Sequence, residues 1–130
     1  MMPRQINVIH PDKREIEVAS GAMTRMAGVS QALCNAQGIH LAIATIPPGC
    51  GSSPHKHINC ESAIYVLKGY GHLLVGEQLD ETLPIGPGDF IYIPPEKVHA
   101  PVNDGKETLE LIVARNTPVE VVEEYASNNI

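Results

Sequence analysis

Three histidines and one glutamate are the residues whose types and spacing could do chemistry. His55 and His57 flank Lys56, and residues two apart on an extended strand project from the same face. Their imidazoles can therefore converge on one point, which the carboxylate of Glu61 could also reach. His99 completes the set if the fold brings it alongside. Neutral imidazoles with one carboxylate suit Fe, Mn, Co, Ni, Cu or Zn, so the sequence predicts one divalent transition-metal ion.

Two segments around these histidines resemble the paired sequence motifs of the cupin superfamily. The first, Gly49–Gly69, reads GCGSSPHKHINCESAIYVLKG and carries the His-x-His pair and both outer glycines in register. The second, Gly88–Asn103, reads GDFIYIPPEKVHAPVN and carries its glycine, proline, histidine and asparagine in register. The chain is thus similar to a small type-2 cupin of the RmlC-like kind. We expect a single cupin domain over residues 1–130, with motif 1 at 49–69 and motif 2 at 88–103.

The first motif departs from the family pattern in the spacing of its carboxylate. The family has six residues before the closing glycine, and counting back from Gly69 puts Ser62 at the usual carboxylate position. If Ser62 faces inward, strand alternation turns Glu61 outward unless a bulge intervenes. Counting forward from His57 gives Glu61 a permitted spacing. Glu61 is the expected fourth ligand; the alternatives are a three-histidine site completed by water and, less well suited, Cys60.

Other positions near the motifs carry weaker expectations. Glu96 stands where the second motif usually has glycine, which can adopt positive φ. Glu96 predicts a turn that does not need this freedom, local strain, or a functional role next to the metal ligands. Asn103 is expected to hydrogen-bond the turn at Asp104–Gly105. Tyr65 or Tyr92 could supply a hydroxyl to the pocket, or could equally belong to the core.

Short apolar runs separated by glycine and proline predict the elements that position the site. They are rich in Val, Ile and Tyr, as strands of an all-β sandwich or barrel are. The resemblance implies the same architecture, a double-stranded β-helix or jelly-roll barrel of two antiparallel sheets. The runs are Ile39–Ile46, Ala63–Leu67, His72–Val75, Phe90–Ile93, Val98–Val102 and Leu109–Ala114.

Three local patterns predict further elements. The Gly-Tyr-Gly turn at 69–71, between two of these runs, predicts a hairpin. Val119–Tyr125 predicts a short C-terminal helix rather than a final strand, because three of its seven residues are glutamate, a good helix former. Met23–Ala27 is ambiguous between turn and helix.

Length and charge narrow the classes of partner. The 130 residues suffice for one domain with its own core. Nine Lys and Arg against fifteen Asp and Glu give a net charge of −6, which argues against nucleic acid and anionic membranes. The chain shows neither an apolar stretch of about 20 residues nor an apolar signal region. We therefore expect a cytoplasmic protein whose Cys34, Cys50 and Cys60 are free thiols.

The resemblance implies a metal-dependent protein that acts on a small organic molecule. Three imidazoles and one carboxylate leave one or two metal positions open, as catalytic sites do. The family includes dioxygenases, decarboxylases, isomerases, lyases and non-catalytic binders, so the barrel does not define the reaction. The leading expectation is an oxygenase- or isomerase-type enzyme; the alternative is a non-catalytic protein that binds a sugar or organic acid. Open sheet edges lead us to expect a twofold homodimer.

Overall fold

Strands dominate the computed structural model, which describes residues 4–17 and 19–125. A 3₁₀ turn (Pro11–Lys13) and a single-turn helix, α1 (Gln31–Cys34), interrupt them. The strands are β1 (Glu15–Glu17), β2 (Thr24–Val29), β3 (His40–Ile46), β4 (His55–His57), β5 (Ser62–Lys68), β6 (Gly71–Val75), β7 (Glu81–Ile85), β8 (Phe90–Ile93), β9 (His99–Val102), β10 (Leu109–Arg115) and β11 (Val122–Glu124).

The strands form two antiparallel sheets. The larger sheet has the order β1-β2-β3-β10-β5-β8, and the smaller has the order β11-β4-β9-β6-β7. Each sheet therefore collects strands from distant parts of the sequence, as a jelly roll does. All six apolar runs form strands (β3, β5, β6, β8, β9 and β10). The predicted all-β fold, a double-stranded β-helix of two antiparallel sheets, is confirmed.

The apolar core lies between the sheets, towards one end of their strands. Inward-facing residues of β3, β5 and β10 alternate with outward-facing ones, as the period of a half-buried strand requires. The buried cluster comprises Ala44, Ile46, Val66, Leu73, Ile85, Leu109 and Leu111. The remaining interior, towards the other end of the same strands, holds a cavity whose mainly aliphatic wall also carries several polar side chains.

The predicted hairpin at residues 69–71 is wrong. Strand β5 belongs to the larger sheet and β6 to the smaller, so this turn carries the chain from one sheet to the other. Close packing explains its glycines. A Cβ on Gly71 would lie 2.3 Å from the Val102 carbonyl oxygen, and Gly69 has a φ of +89°. The glycines thus permit a close crossover, which local sequence does not distinguish from a hairpin turn.

The predicted C-terminal helix is also wrong. Val122–Glu124 forms β11, which pairs antiparallel with β4 through Val122–His57 and Glu124–His55. Pairing with an open sheet edge outweighs the helix propensity of the glutamates, which amounts to tenths of a kcal/mol per residue. The ambiguous Met23–Ala27 segment likewise falls largely in a strand, β2.

Two expectations at the second motif agree with the structure. Glu96 has a φ of +64°, in the region that favours glycine, so the expectation of local strain is the one that holds. Its backbone N–H donates to the His57 carbonyl at 2.7 Å, which ties the β8–β9 turn to β4. Asn103 is fully buried; it donates to the Ile46 carbonyl and accepts from the Gly105 N–H.

All three cysteines, Cys34, Cys50 and Cys60, are free thiols, as expected. Among the described residues, no helix has the length and apolar character that crossing a bilayer demands.

Candidate metal centre

Strand pairing brings the three predicted histidines together. Strand β4 pairs with β9 so that His55 lies directly opposite His99, and their ring centroids are 4.5 Å apart. His57 shares the face of His55, with its ring centroid 5.2 Å from that of His55 and 5.5 Å from that of His99. One potential ligand atom from each residue lies within 4.8 Å of the others. The fold thus places all three imidazoles around one point.

Backbone carbonyls fix the tautomers of two of these rings. The Nδ1 atom of His55 lies 2.8 Å from the Ser53 carbonyl oxygen, and that of His99 lies 2.8 Å from the Lys97 carbonyl oxygen. A carbonyl oxygen only accepts, so each Nδ1 carries the proton and each Nε2 keeps its lone pair. These are the neutral imidazoles that metals require, oriented from outside the site.

A carboxylate that the sequence reading missed holds the third ring. The Nδ1 atom of His57 lies 2.8 Å from Glu120 Oε2, although the pair lacks the alignment of a full hydrogen bond. Glu120 precedes β11, so the C-terminal strand brings this carboxylate onto β4. The contact leaves His57 Nε2 for ligation, and carboxylate–histidine pairs of this kind orient metal ligands. The alternation Val119-Glu120-Val121 is the signal that could have predicted an extended segment here.

Two guanidinium groups surround Glu120. Its Oε1 lies 2.8 Å from Arg25 Nη1 and 3.3 Å from Arg115 Nη1. Burial alone would raise the pKa of Glu120, but the contacts with His57, Arg25 and Arg115 outweigh it and lower the pKa to about 2. Glu120 is therefore a carboxylate at neutral pH, and its negative charge lies against His57 Nδ1.

Burial also favours the neutral imidazoles of His55 and His99. It lowers the pKa of His99 to about 4, with further lowering from His55. Burial lowers the pKa of His55 as well, assisted by His57. A positive charge on either buried ring, next to two other imidazoles, is unfavourable, so His55 and His99 present lone pairs to the site at neutral pH.

Glu61, the predicted fourth ligand, lies away from the three histidines. Its side chain is exposed, and its carboxylate accepts a hydrogen bond from the Tyr92 hydroxyl at 3.3 Å on the outside of the barrel. Ser62 is the residue that faces inward, 4% exposed and in the same cavity as the histidines. Strand alternation without a bulge at this point is the physical reason, because it turns neighbouring residues to opposite faces.

Tyr65, Tyr92 and His40 do not belong to the cluster of three histidines. Tyr65 packs on Phe90 at a ring distance of 4.9 Å, on the outer face of the larger sheet, and Tyr92 is 63% exposed. His40 pairs with Glu17 inside the barrel. Neither tyrosine belongs to the lining of the histidine cavity. Tyr65 therefore falls outside the pocket role that the sequence allowed, whereas Tyr92 lines a neighbouring pocket that also reaches His99.

The cavity in front of the histidines lies between the two sheets. It measures about 50 Å³, enough for roughly four water molecules. The polar groups on its wall are the three histidines, Ser62, Arg25, Arg115 and Glu120; the rest is mainly aliphatic. Three nitrogen donors on the wall of a mainly aliphatic chamber fit a divalent transition metal with positions left open to a small molecule.

Comparison with known proteins agrees with this architecture. The model of the Cupin domain family matches residues 42–115. An uncharacterized protein of Methanocaldococcus jannaschii is 33% identical over 78 residues, which are 60% of this chain and 60% of that protein. Germin-like protein subfamily T member 3 of Arabidopsis thaliana is 36% identical over 67% of this chain. The alignment spans only 40% of that plant protein.

Solved structures show the same fold. The polyketide cyclase RemF from Streptomyces resistomycificus superposes with a TM-score of 0.79 at 22% identity, covering 96% of this chain and 89% of that one. A putative sugar phosphate isomerase from Acidithiobacillus ferrooxidans superposes with a TM-score of 0.63 at 29% identity, covering 82% and 73%. A predicted oxalate decarboxylase from Thermotoga maritima has a TM-score of 0.70 at 21% identity, covering 85% and 99%.

Proposed function

The chain belongs to the cupin domain family, and from this premise we propose that it is a metal-dependent enzyme. Its substrate is a small organic molecule bound in the barrel, and its chemistry is of the oxygenase or isomerase type. The observation that carries the proposal is the convergence of His55, His57 and His99, each with Nδ1 engaged, on one point facing an interior cavity.

The residues divide the work of this site. The three imidazoles would hold the ion through Nε2, and the Ser53 and Lys97 carbonyls with Glu120 keep their rings in place. When bound, a divalent metal supplies a Lewis acid or, as Fe or Mn, a redox centre. The aliphatic walls exclude water, which strengthens the electrostatic interactions inside. Glu61, on the outer surface, has no part in this proposal.

Metal analysis combined with turnover tests the enzyme. Protein purified without chelators is expected to contain one Fe, Mn, Co, Ni, Cu or Zn ion per chain. Oxygen uptake or product formation is then followed against a panel of diketones, phenols and hydroxy acids. We expect turnover that disappears in His57→Ala and persists in His72→Ala, since His72 pairs with Asp104 away from the cavity. Turnover that survives in His57→Ala would contradict the proposal.

Saturable binding without turnover by the metal-loaded protein would favour the second candidate, a non-catalytic small-molecule binder. The observation behind this candidate is the limited acid–base equipment of the cavity. Its carboxylate, Glu120, is engaged by Arg25, Arg115 and His57.

We also propose a homodimer formed through the outer face of the larger sheet. An apolar row crosses all six of its strands, from one partner to the next in the sheet register. The row consists of Ile16, Met26, Ile43, Ile112, Tyr65 and Phe90. Ile16 is 78% exposed and Phe90 is 83% exposed, and exposed apolar patches of this extent mark interaction surfaces.

The size of this face suits a second copy of the chain. Six strands about 4.8 Å apart and up to roughly 24 Å long present several hundred Å², near the roughly 800 Å² per partner of a standard interface. Sedimentation should give a dimer for the wild type and a monomer for Ile112→Asp. A wild-type monomer at micromolar concentration would refute the interface. One domain over residues 1–130 and a cytoplasmic location without nucleic-acid or membrane partners remain proposals from the sequence.

A further inference from the structure

The hydroxyl of Ser62 is buried and has no hydrogen-bond partner among the residues that the structure describes, and it lies on the wall of the cavity that the three histidines share. An unsatisfied buried hydroxyl destabilises the fold, and such a group calls for an explanation. We infer that Ser62 is a ligand-binding residue, which hydrogen-bonds an oxygen of a small molecule with an apolar body. This inference rests on the proposed function and names its ligand class: phenols, enols and simple carbonyl compounds.

The position of Ser62 follows from its strand. It begins β5 and pairs with Arg115 of β10 on one side and Ile93 of β8 on the other. Strand β5 belongs to the larger sheet and the histidine strands β4 and β9 to the smaller. The hydroxyl therefore reaches the cavity from the sheet that faces the imidazoles, so one bound molecule can meet both.

The rest of the cavity wall defines the body of the ligand. Aliphatic side chains from both sheets form most of it, and they offer no hydrogen bonds. They are Ile64, Leu73, Ile85, Ile91, Ile93 and Val113. A ligand that fills this space gains about 25 cal/mol for each Å² of apolar surface removed from water, while a polyhydroxylated ligand would lose hydrogen bonds to water without replacement.

The charged groups of the cavity argue against an anionic ligand. Arg115 donates from Nε to the Thr117 carbonyl and from Nη2 to the Pro118 carbonyl, and it contacts Glu120 through Nη1. Arg25 contacts Glu120 and, through Nε, Glu17. Both guanidiniums of the wall are thus held by internal partners. A phosphate group would have to break these contacts, whereas a phenol or carbonyl oxygen needs only Ser62 and the metal position.

Matched probes on matched variants test the inference. Phenol and toluene have similar shapes and differ in the oxygen, and inorganic phosphate represents the anions. Their dissociation constants are measured by calorimetry for Co²⁺-loaded and metal-free wild type, Ser62→Ala and Ser52→Ala. Ser52 is a matched control, since it is a buried serine outside the histidine cavity, and its hydroxyl donates to the Ser53 carbonyl.

We expect wild type and Ser52→Ala to bind phenol about tenfold more tightly than Ser62→Ala does, as one hydrogen bond of about 1–1.5 kcal/mol implies. Toluene should bind all three alike, and phosphate should not bind. Ser62→Ala should keep the wild-type Co²⁺ affinity and an equal or higher melting temperature, because alanine removes an unsatisfied group.

The outcomes separate this inference from the proposed function. Equal phenol affinities for wild type and Ser62→Ala, or no phenol binding by wild type, would overturn the role of Ser62 and leave the metal site standing. A tenfold difference in the metal-free proteins, with no Co²⁺ uptake by wild type, would support Ser62 and refute the metal-dependent function. A lowered melting temperature in Ser62→Ala would show that the serine serves the fold instead.

Discussion

The two ends of the barrel use the same strands for opposite purposes. At one end Leu109 of β10 pairs with Ile46 of β3, and both are fully buried together with Val66 of β5. Six residues further along β10, Arg115 pairs with Ser62 of β5, and both remain within the barrel. Along single strands, the inward face therefore changes from an aliphatic plug to a chamber whose aliphatic wall carries polar groups.

This difference separates stability from function. Side chains at the plug end each contribute about 1.5–3 kcal/mol through apolar burial. At the chamber end, burial of imidazoles disfavours their protonated forms, and Ser62 Oγ lacks a partner. The structure thus predicts that the two ends respond differently to substitution and to acid.

Loss of one imidazole should have the largest effect at the chamber end. His99→Ala removes one of three nitrogen donors, so we expect Co²⁺ or Zn²⁺ affinity to fall at least 100-fold in competition with a chelating dye. His72→Ala serves as the control, because its ring pairs with Asp104 outside the cavity. Undiminished metal affinity in His99→Ala would remove this residue from the site.

A substitution that creates a cavity at the plug end should have the opposite effect, lowering stability and leaving metal affinity nearly unchanged. Leu109→Ala is expected to lower the free energy of unfolding by about 3 kcal/mol, through lost burial and an unfilled void. Metal affinity of the folded protein should stay within about twofold of wild type, since the plug and the histidines occupy different ends. Urea denaturation and metal titration measure the two quantities. A large loss of metal affinity would show that the ends are coupled.

Glu120→Gln tests the support of His57. The amide keeps the size of the side chain but loses the charge, and loss of such a supporting carboxylate typically costs 10- to 100-fold in metal affinity. Glu61→Gln is the matched control, because this exposed carboxylate contacts Tyr92 instead. Equal metal affinities in the two variants would refute the positioning role of Glu120. A loss of metal affinity confined to Glu61→Gln would show that Glu61 is the fourth ligand, as the sequence predicts.

Acid should act mainly through the chamber end. Because the folded-state pKa values of His55 and His99 are lowered, the unfolded chain binds protons first. Stability of the metal-free protein should be full above about pH 6.5 and decline towards pH 4, by on the order of 3 kcal/mol for His99. The Glu120 pKa of about 2 adds stability above pH 4.5 that is lost as pH falls towards 2.

Denaturation midpoints across this pH range measure the effect. His99→Ala should flatten the decline between pH 6.5 and 4, whereas Leu109→Ala should lower the whole curve without changing its shape. An unchanged decline in His99→Ala would contradict the assignment of the acid sensitivity to the chamber.

Local sequence was sufficient where chemistry and strand period coincide. The i, i+2 spacing of His55 and His57, together with the second motif, predicts three ligands that the fold does bring together. The fourth predicted ligand, Glu61, lies away from them. Strand parity also offered the correct alternative at the fourth, with Ser62 inward and Glu61 outward, but the count from His57 favoured Glu61. The two readings differ only in whether a bulge occurs, which residue types do not reveal.

Features of the site and fold that depend on long-range contacts could not be predicted from local sequence. Glu120 meets His57 across 63 residues of sequence, and its segment was interpreted as a helix because glutamates favour one in isolation. The edge of β4 that makes a strand of Val122–Glu124 exists only after the barrel has formed. For the same reason, the sequence of the turn at 69–71 does not indicate that the turn joins two sheets.

The three-histidine metal site is tested most directly by anomalous diffraction from crystals of the metal-loaded protein, recorded at the absorption edge of the metal. We expect one anomalous peak bonded to Nε2 of His55, His57 and His99, with no protein carboxylate among the ligands. A peak bonded to Glu61 or Glu120, a peak elsewhere on the chain, or no peak at saturating metal would contradict it.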